Sequence, residues 1–330
     1  MNRYADAGAG SALLERSLLS LCSPGGKRGL SILIYHRVLP VKDELFPGEV
    51  DRQEFSDQMA LLKSRFNVLP LAQAVAMAKR GSLPPRAAAI TFDDGYADNA
   101  EVALPVLREH RLPATFFVAS GFLNGGRMWN DSVIELVRRT PDNVLDASTL
   151  GLGVHPLRTV AERQHAIPAL IGQLKYLPAA ERLEKVERLA ALADCALPDN
   201  LMMTTAQVRS LRAAGMDIGA HTVNHPILAR LPDAQAREEI AQGKLALEDL
   251  LGEKVALFAY PNGKPGEDYL PQHVTMARDL GFEGAVSTAW GASRGAPDPF
   301  QLPRFTPWDR NRLRFVLRLA RNLTVPAGRA

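Results

Sequence analysis

Two adjacent carboxylates followed by a glycine, Asp93-Asp94-Gly95, are the first feature of this chain that could do chemistry. They follow an apolar run at 87–90 that predicts a buried strand, which the glycine then ends. In α/β proteins catalytic groups lie where strands end. One carboxylate could bind a cation while the other stays free as a base, although Asp-Asp-Gly is also an ordinary turn sequence.

Two histidines four residues apart, His221 and His225, are the second such feature, and they also follow a strand-like run, at 216–220. Neutral imidazoles bind divalent metals well. One carboxylate would complete a set of three protein ligands with positions left open for water and substrate. A histidine pair alone is more often a surface or hydrogen-bonded pair. Together with the Asp-Asp-Gly strand end, it favours a metal site.

Three motifs resemble those of one known family. They are Thr91-Phe92-Asp93-Asp94-Gly95, His221-Thr222-Val223-Asn224-His225-Pro226 and Phe258-Ala259-Tyr260-Pro261-Asn262-Gly263. The chain resembles the polysaccharide deacetylase (NodB-like) family, metal-dependent carbohydrate esterases that remove N-acetyl groups. The similarity covers roughly residues 30–310 with a long interruption, and the first two motifs together are far more specific than a lone glycine-rich loop.

The metal chemistry and the resemblance together suggest roles for five residues. Asp94, His221 and His225 are assigned as ligands of a divalent metal, with zinc favoured and cobalt, nickel or manganese as alternatives. The resemblance implies that Asp93 is the general base, ionised because a cation is near. Thr222 is expected to orient a ligand.

The chain departs from the family pattern where the family often has an arginine that orients the catalytic aspartate, because Ala259 stands there. The last family motif usually offers a leucine and a histidine that acts as the acid. The corresponding stretch here ends in Arg304, which cannot donate a proton at useful pH. We predict that Arg304 replaces the missing arginine and holds Asp93.

The missing acid is placed on His36. This histidine directly follows the strand-like run at 30–35, so in a parallel barrel it emerges on the same face as Asp94 and His221. Imidazole titrates near neutrality, which suits protonation of a leaving amine. The alternative is a histidine that hydrogen-bonds the barrel rim or a ligand.

The remaining candidate residues belong to the substrate side of the site or to its support. They are Tyr260, Pro261 and Asn262 of the third motif, and Trp129. Backbone N–H groups near Tyr260 could stabilise an oxyanion. Trp129 could stack on a sugar ring or simply cover the core.

Strand-like and helical segments alternate along the chain at the spacing of βαβ units, which require parallel strands. Six or seven such strands are predicted. The fold class is therefore α/β, as an incomplete or distorted (β/α) barrel, which is also the fold that the resemblance implies. The barrel is expected over residues 29–330, with a mostly helical insertion at about 124–200.

Composition excludes some partners. The net charge is +3, from 39 basic and 36 acidic residues, a balance that argues against nucleic acid. The hydrophobic content of 46% is ample for a large core. The two cysteines, Cys22 and Cys195, form neither a disulfide framework nor a zinc motif.

Residues 1–28 are predicted to be an N-terminal extension, in which Leu14, Leu18 and Leu21 could line one side of an amphipathic helix. This side could pack on the domain or lie on a membrane surface. A basic C-terminal helix over 310–321 could lie against an anionic membrane or polymer, or simply present a solvated face. The segment lacks the features of a secretory signal, and no stretch is long enough to span a membrane. A cytoplasmic location is expected, with peripheral membrane contact as an alternative.

The expected function is metal-dependent N-deacetylation of an amino-sugar polysaccharide or oligosaccharide, of exopolysaccharide or cell-wall type, with release of acetate. Two alternatives stay open. One is an amidase or deformylase that acts on a small or lipid-linked sugar. The other is a carbohydrate-binding member of the fold without turnover, which the intact set Asp93, Asp94, His221 and His225 disfavours.

Overall fold

The computed structural model describes residues 9–26, 29–292, 298–307, 312–322 and 329–330. Its helices are α1 (Ala9–Cys22), α2 (Arg52–Arg65), α3 (Leu71–Arg80), α4 (Leu104–His110), α5 (Trp129–Arg139), α6 (Val160–Leu174), α7 (Ala179–Leu192), α8 (Thr205–Ala213), α9 (Asp233–Leu251), α10 (Pro271–Asp279) and α11 (Arg312–Asn322). Its strands are β1 (Ser31–Tyr35), β2 (Asn67–Val68), β3 (Ala87–Phe92), β4 (Thr115–Val118), β5 (Val144–Asp146), β6 (Val154–Pro156), β7 (Asp217–Ala220), β8 (Leu257–Ala259) and β9 (Gly284–Val286).

A seven-stranded parallel sheet organises the first of two compact units, which comprises Met1–Pro40, Val50–Leu123 and Met203–Ala330. The strand order is β1-β3-β4-β7-β8-β9, with β2 paired to the start of β3. The predicted α/β class is confirmed as a parallel, curled half-barrel sheet with helices. Every residue of β3 is buried, as expected for a parallel strand covered on both faces.

Local sequence explains where several helices of this unit begin. The side chain of Asp51 accepts a hydrogen bond from the Glu54 backbone N–H at 2.8 Å and so caps α2. Helix α10 begins at Pro271. The residues before it form a turn in which the Asp268 carboxylate accepts from the Lys264 N–H at 2.9 Å. Proline at the first helical position is favourable because its missing N–H would be unpaired there anyway.

The two edge strands of this sheet are bridged by one short segment near the end of the chain. Leu302 pairs with Val286 of β9, and Phe305 pairs with Leu33 of β1. The Phe305 N–H donates to Ile32 O at 2.7 Å. The segment 302–305 therefore lies between the last strand and the first, and it carries its residues to the edge of the sheet where the motifs lie.

The second compact unit comprises Val41–Glu49 and Asn124–Met202. It contains α5, α6 and α7 and the antiparallel pair β5–β6, with an apolar core of its own. Arg138 of α5 binds the Asp43 carboxylate through both terminal nitrogens, at 3.0 and 2.5 Å. This pair joins the 41–49 segment to the helices of the same unit.

Helix α1 lies within the predicted N-terminal extension. Leu18 and Leu21 are exposed, whereas Leu19 is fully buried in the core of the first unit. The side chain of Leu14 lies outside the described residues. Among the helices that the structure describes, none is both long and apolar enough to cross a membrane.

Candidate metal centre and active site

The turn after β3 separates the two carboxylates of the first motif. The Asp93 N–H still donates to Tyr35 O of β1 at 3.0 Å, so Asp93 continues the strand. Asp94 then adopts a positive φ of 75°, and Gly95 follows with a φ of 92°. A Cβ added to Gly95 would lie 3.1 Å from a methyl of Val118, so the turn also needs a residue without a side chain. The two carboxylates consequently reach different partners.

Asp93 is held by Arg304, the residue that the bridging segment carries to this edge. The two terminal nitrogens of Arg304 donate to Asp93 Oδ1 and Oδ2, each at 2.6 Å. The guanidinium also donates to Thr91 Oγ1 at 3.2 Å and to Ser287 O at 3.0 Å. Both partners of the pair are buried. The bidentate geometry fixes the orientation of the Asp93 carboxylate as well as its charge.

Asp94 instead lies against the two histidines. Its Oδ1 is 3.4 Å from His221 Nε2 and 3.3 Å from His225 Nε2. His221 Nδ1 lies 2.7 Å from Ala259 O, so this ring nitrogen carries a proton, and Nε2 points towards Asp94. The structure therefore brings together, at the ends of β3 and β7, the three residues that the sequence assigned as ligands.

The donor set fits a divalent cation. One carboxylate oxygen and two imidazole nitrogens, from Asp94, His221 and His225, lie within 4.8 Å of one another. Asp94 Oδ1 is buried and has no hydrogen-bond partner among the described residues. A buried carboxylate oxygen without a partner is costly, and a cation between it and the two Nε2 atoms would satisfy all three. Oxygen and imidazole ligands of this kind suit zinc, cobalt, nickel or manganese.

The charges around the cluster are set by burial and by its neighbours. Burial alone would raise the pKa of Asp93, but Arg304 and then His221 hold it below its ordinary value. Burial is likewise outweighed at Asp94, where His225 and His221 lower the pKa. Burial lowers the pKa of His225 to about 4, so this imidazole is neutral at pH 7, as a ligand must be.

His221 shows the opposite balance. Burial alone would lower its pKa, but the carboxylates of Asp93 and Asp94 outweigh burial and raise it. The two histidines thus sit at different pKa values although they share Asp94. Binding of a cation at this cluster must displace any proton held by His221.

His36 follows β1 directly and is exposed at the same edge of the sheet. A protonated His36 would be one of the cations that lower the pKa of Asp93 and Asp94, after the larger effects of the residues named above. The His36 carbonyl accepts a hydrogen bond from Asn99 Nδ2 at 2.9 Å.

Two residues that the sequence analysis missed hold the turn that carries His36. Asp98 accepts from Arg37 Nε at 2.8 Å and from the Val38 N–H at 3.2 Å, and Asn99 binds the His36 carbonyl. Asn99 begins a π-helical turn, a local distortion often found at functional sites. The sequence signal for them is an Asp-Asn pair a few residues after the Asp-Asp-Gly motif.

The third motif begins within β8, but it does not present its tyrosine to a substrate. The Tyr260 ring is fully buried and stacks on Tyr269 with ring centroids 3.9 Å apart, and its hydroxyl donates to Phe300 O at 3.0 Å. The backbone N–H of Tyr260 donates to Val286 O at 3.2 Å. This corrects the expectation of a substrate contact at Tyr260, because both of its donors are already engaged in the core and the sheet.

Three further motif residues take supporting positions: Pro261, Asn262 and Thr222. Pro261 is buried, and Asn262 is half-buried with a positive φ of 57° and a carbonyl that accepts from Thr288 Oγ1 at 2.7 Å. Thr222 is buried between the two histidines, where its hydroxyl donates to His221 O at 2.5 Å and accepts from the His225 N–H at 3.0 Å.

Trp129 begins α5 in the second unit. Its ring packs on the apolar core of that unit, with the Arg182 guanidinium 4.9 Å from the ring centroid. A contact between Trp129 and substrate stays a prediction.

Comparisons with known proteins agree with this architecture. A family model described as polysaccharide deacetylase matches residues 80–147 and 186–285, slightly more than half of the chain. The protein YxkH of Bacillus subtilis (strain 168), whose name assigns it provisionally to the polysaccharide deacetylases, is 21% identical over 266 residues. The match covers 80% of this chain and 66% of YxkH, so the chain spans slightly less than two thirds of that relative.

Two solved structures share the fold. A deacetylase PplD of Streptococcus pyogenes in complex with acetate aligns with a TM-score of 0.58 and 19% identity, covering 89% of this chain and 97% of PplD. IcaB of Ammonifex degensii aligns with a TM-score of 0.57 and 22% identity, covering 90% of this chain and 98% of IcaB.

Proposed function

Because this chain belongs to the polysaccharide deacetylase family, whose members are hydrolases of carbon–nitrogen bonds, we propose that it is a metal-dependent N-deacetylase of an amino-sugar polysaccharide or oligosaccharide. The products would be the free amine and acetate. The observation that carries the proposal is the buried Asp94 Oδ1 without a hydrogen-bond partner among the described residues, between two imidazole nitrogens and beside a clamped second carboxylate.

In this proposal Asp94, His221 and His225 hold a divalent cation, with zinc favoured. When bound, the cation would supply Lewis-acid polarisation of the acetyl carbonyl and of a water molecule. Asp93 would accept the water's proton at Oδ2, the oxygen that lies 3.9 Å from His221 Nε2 and so faces the cluster. The bond to Arg304 keeps this carboxylate ionised and stops it from turning away.

His36 would protonate the leaving amine. Its support is its position at the end of β1, on the edge that carries Asp93 and Asp94. The turn that bears His36 is held by Asp98 and Asn99, which restricts where the ring can go. A sugar amine is a poor leaving group unless it is protonated, so the reaction needs a donor at this place.

The test is release of acetate by the purified chain from chitin oligomers, poly-β-1,6-N-acetylglucosamine and peptidoglycan. The protein is first stripped with a chelator and then reloaded with zinc, cobalt, nickel or manganese. We expect release only from the reloaded protein, and the substrate with the highest kcat/KM would identify the class of polysaccharide. Failure of every reloaded form on every substrate, or equal release by the stripped protein, would refute the proposal.

A matched pair of variants tests the ligand assignment. His225→Ala should abolish metal binding and acetate release together, because two remaining ligands hold a divalent ion poorly. The control is His165→Ala, which removes an exposed histidine from the second unit. Full metal occupancy in the His225 variant would exclude it as a ligand.

We also propose contact with an anionic membrane surface through α1 and α11, at the cytoplasmic face. The two helices contact each other. Four exposed leucines lie on them: Leu13, Leu18, Leu21 and Leu317. Three arginines share the outer face of α11 with Leu317, two exposed and one half-buried: Arg314, Arg321 and Arg318. Exposed apolar side chains among basic ones suit the interface of an anionic bilayer.

Vesicle sedimentation tests this contact. The chain should sediment with vesicles of phosphatidylcholine and phosphatidylglycerol but not with phosphatidylcholine alone, and Leu21→Ser should weaken sedimentation. Leu245→Ser, an exposed leucine on α9, is the control. Equal sedimentation of wild type and the Leu21 variant, or none with either vesicle, would remove the proposal, and cell fractionation would test the location.

A further inference from the structure

Helix α9 runs unusually close to the segment that carries the two histidines. A Cβ added at Gly243 of this helix would lie 2.6 Å from Thr222 C and 2.7 Å from Thr222 O. Backbone atoms cannot yield as the end of a flexible side chain can, so only glycine allows this approach. The helix therefore supports the His221–His225 loop directly.

One turn before Gly243 on the same helix, Glu239 binds the loop through both carboxylate oxygens. Oε2 accepts hydrogen bonds from the backbone N–H groups of Val223 at 3.0 Å and of Asn224 at 2.9 Å. Oε1 accepts from Asn224 Nδ2 at 2.7 Å. Three donors of the loop thus converge on one acidic side chain, and a carboxylate makes stronger hydrogen bonds than a neutral acceptor does.

The opposite side of the loop is tied to the residues after β4. The Ser120 N–H donates to Thr222 O at 3.2 Å, and the Gly121 N–H donates to Val223 O at 2.9 Å. The carbonyls of Thr222 and Val223 are therefore bound by this segment, while the N–H groups of Val223 and Asn224 are bound by Glu239.

The loop needs this support because its backbone is strained. Thr222 has a φ of 65° and His225 a φ of 52°, and neither is glycine. The left-handed region is disfavoured for residues with a Cβ, and such residues persist only where the surroundings over-determine the conformation. Relaxation of this strain would turn His225 Nε2 away from its place 3.3 Å from Asp94 Oδ1.

We propose that Glu239 is a positioning residue of the metal centre: it holds the strained loop in the one conformation that aims His225 at Asp94. The inference rests on the proposed metal-dependent function, in which His225 is a ligand. The hydrogen bonds of Glu239 go to Val223 and Asn224 and not to a ligand, so we expect it to act through the loop.

The first test is the dissociation constant for zinc, measured by competition with a chromophoric chelator. Glu239→Ala should raise it about 10–100-fold, the usual effect of removing a group that orients a ligand. Glu238→Ala removes the exposed neighbour on the same helix and should leave the constant unchanged. A lowered melting temperature with an unchanged zinc constant would show a merely structural role and overturn the proposal.

A reciprocal exchange tests the contact itself. Asn224→Asp alone would set two carboxylates 2.7 Å apart and should weaken zinc binding about tenfold or more. Adding Glu239→Gln restores complementarity, because its amide donates where Asn224 donated before, while its oxygen still accepts the two backbone N–H groups. The double variant N224D/E239Q should return to within about threefold of wild type. Zinc binding by the double variant that is no better than by N224D would overturn the proposal.

Hydrogen exchange separates this inference from the proposed function. In the metal-free chain, Glu239→Ala should accelerate exchange of the amides at 223–225 about tenfold or more, and N224D/E239Q should exchange like wild type. If wild type bound no divalent metal, the metal-dependent function would be refuted, but the effect of Glu239 on exchange of the loop amides would still be measurable. Unchanged exchange in Glu239→Ala would reject the positioning role of Glu239 even if the enzyme proved active.

Discussion

The buried pair between Arg304 and Asp93 makes the sharpest prediction. The guanidinium donates to both carboxylate oxygens at 2.6 Å, and the two side chains are 0% and 3% exposed. Replacing Arg304 with Met removes the cation and leaves a buried carboxylate without its partner. Breaking a buried pair in this way costs about 3–5 kcal/mol of folding free energy. A domain with an ordinary stability of about 5–15 kcal/mol should still fold.

The Arg304→Met variant should therefore stay folded but lose most of its turnover. Without Arg304 the Asp93 carboxylate loses its fixed orientation and the neighbouring positive charge that keeps it ionised. It can then no longer act as the general base. General base catalysis is worth about 10²–10⁴-fold, and we expect acetate release to fall by at least about 100-fold with metal retained. Arg304→Lys keeps the positive charge but not the two parallel N–H bonds. Its rate of acetate release should therefore lie between those of wild type and Arg304→Met.

The assay is a double-mutant cycle in urea denaturation, combined with metal analysis and acetate release. Because Arg304→Met with Asp93→Asn removes both charges, the double variant should recover about 2 kcal/mol or more relative to the sum of the single variants. The control is Arg212→Met, which breaks an exposed ion pair with Glu253 and should cost less than about 1 kcal/mol. Additive free energies in the cycle, or wild-type turnover in Arg304→Met, would refute the reasoning.

Three further predictions follow from the same structure. Asp93→Asn should retain the metal and lose at least about 100-fold in turnover, since an amide cannot accept the water's proton. Asp94→Asn should instead weaken zinc binding itself by at least about 100-fold. Metal analysis combined with acetate release distinguishes the two variants, and the reverse pattern would exchange the roles of the two aspartates. His36→Gln should abolish the alkaline limb of the pH–rate profile with metal retained, and an unchanged profile would leave water or Asp93 as the proton donor. In the second unit, burial alone would raise the pKa of Asp43, but its bonds to Arg138 hold it below the ordinary value of 3.8. The pair therefore stabilises above that pH and loses its contribution as pH falls through the lowered pKa. The stability deficit of Asp43→Asn in urea should be full at pH 7 and shrink towards pH 3, and a deficit that does not change with pH would contradict this.

The parts of the candidate site that lie within one motif could be predicted from the sequence. Asp94 follows β3, and His221 and His225 follow β7, so the prediction that strands end before these residues placed all three at one edge of a parallel sheet. The carboxyl ends of parallel strands share an edge whatever the details of packing. The same rule put His36 at this edge after β1.

Other features depended on contacts that no local pattern encodes. Which carboxylate meets the histidines is decided by the positive φ of Asp94. The bond between Arg304 and Asp93 joins residues 211 positions apart, and it forms because the segment 302–305 bridges β9 and β1. The sequence suggested this pair only through a missing arginine in the third motif.

The tertiary structure alone also determined which side chains are buried and which helix contacts the histidine loop. Tyr260 lies in a motif that suggests substrate contact, yet its ring is in the core because its strand neighbours alternate between faces and Tyr269 packs against it. Glu239 looks like one of many surface charges on an amphipathic helix, and only the close approach of α9 at Gly243 brings it to the histidine loop. Sequence patterns report which residues end strands, because periodicity is local. The direction of each side chain from those ends is set by the closure of the sheet and the packing of helices on it, since these depend on distances between residues far apart in the chain.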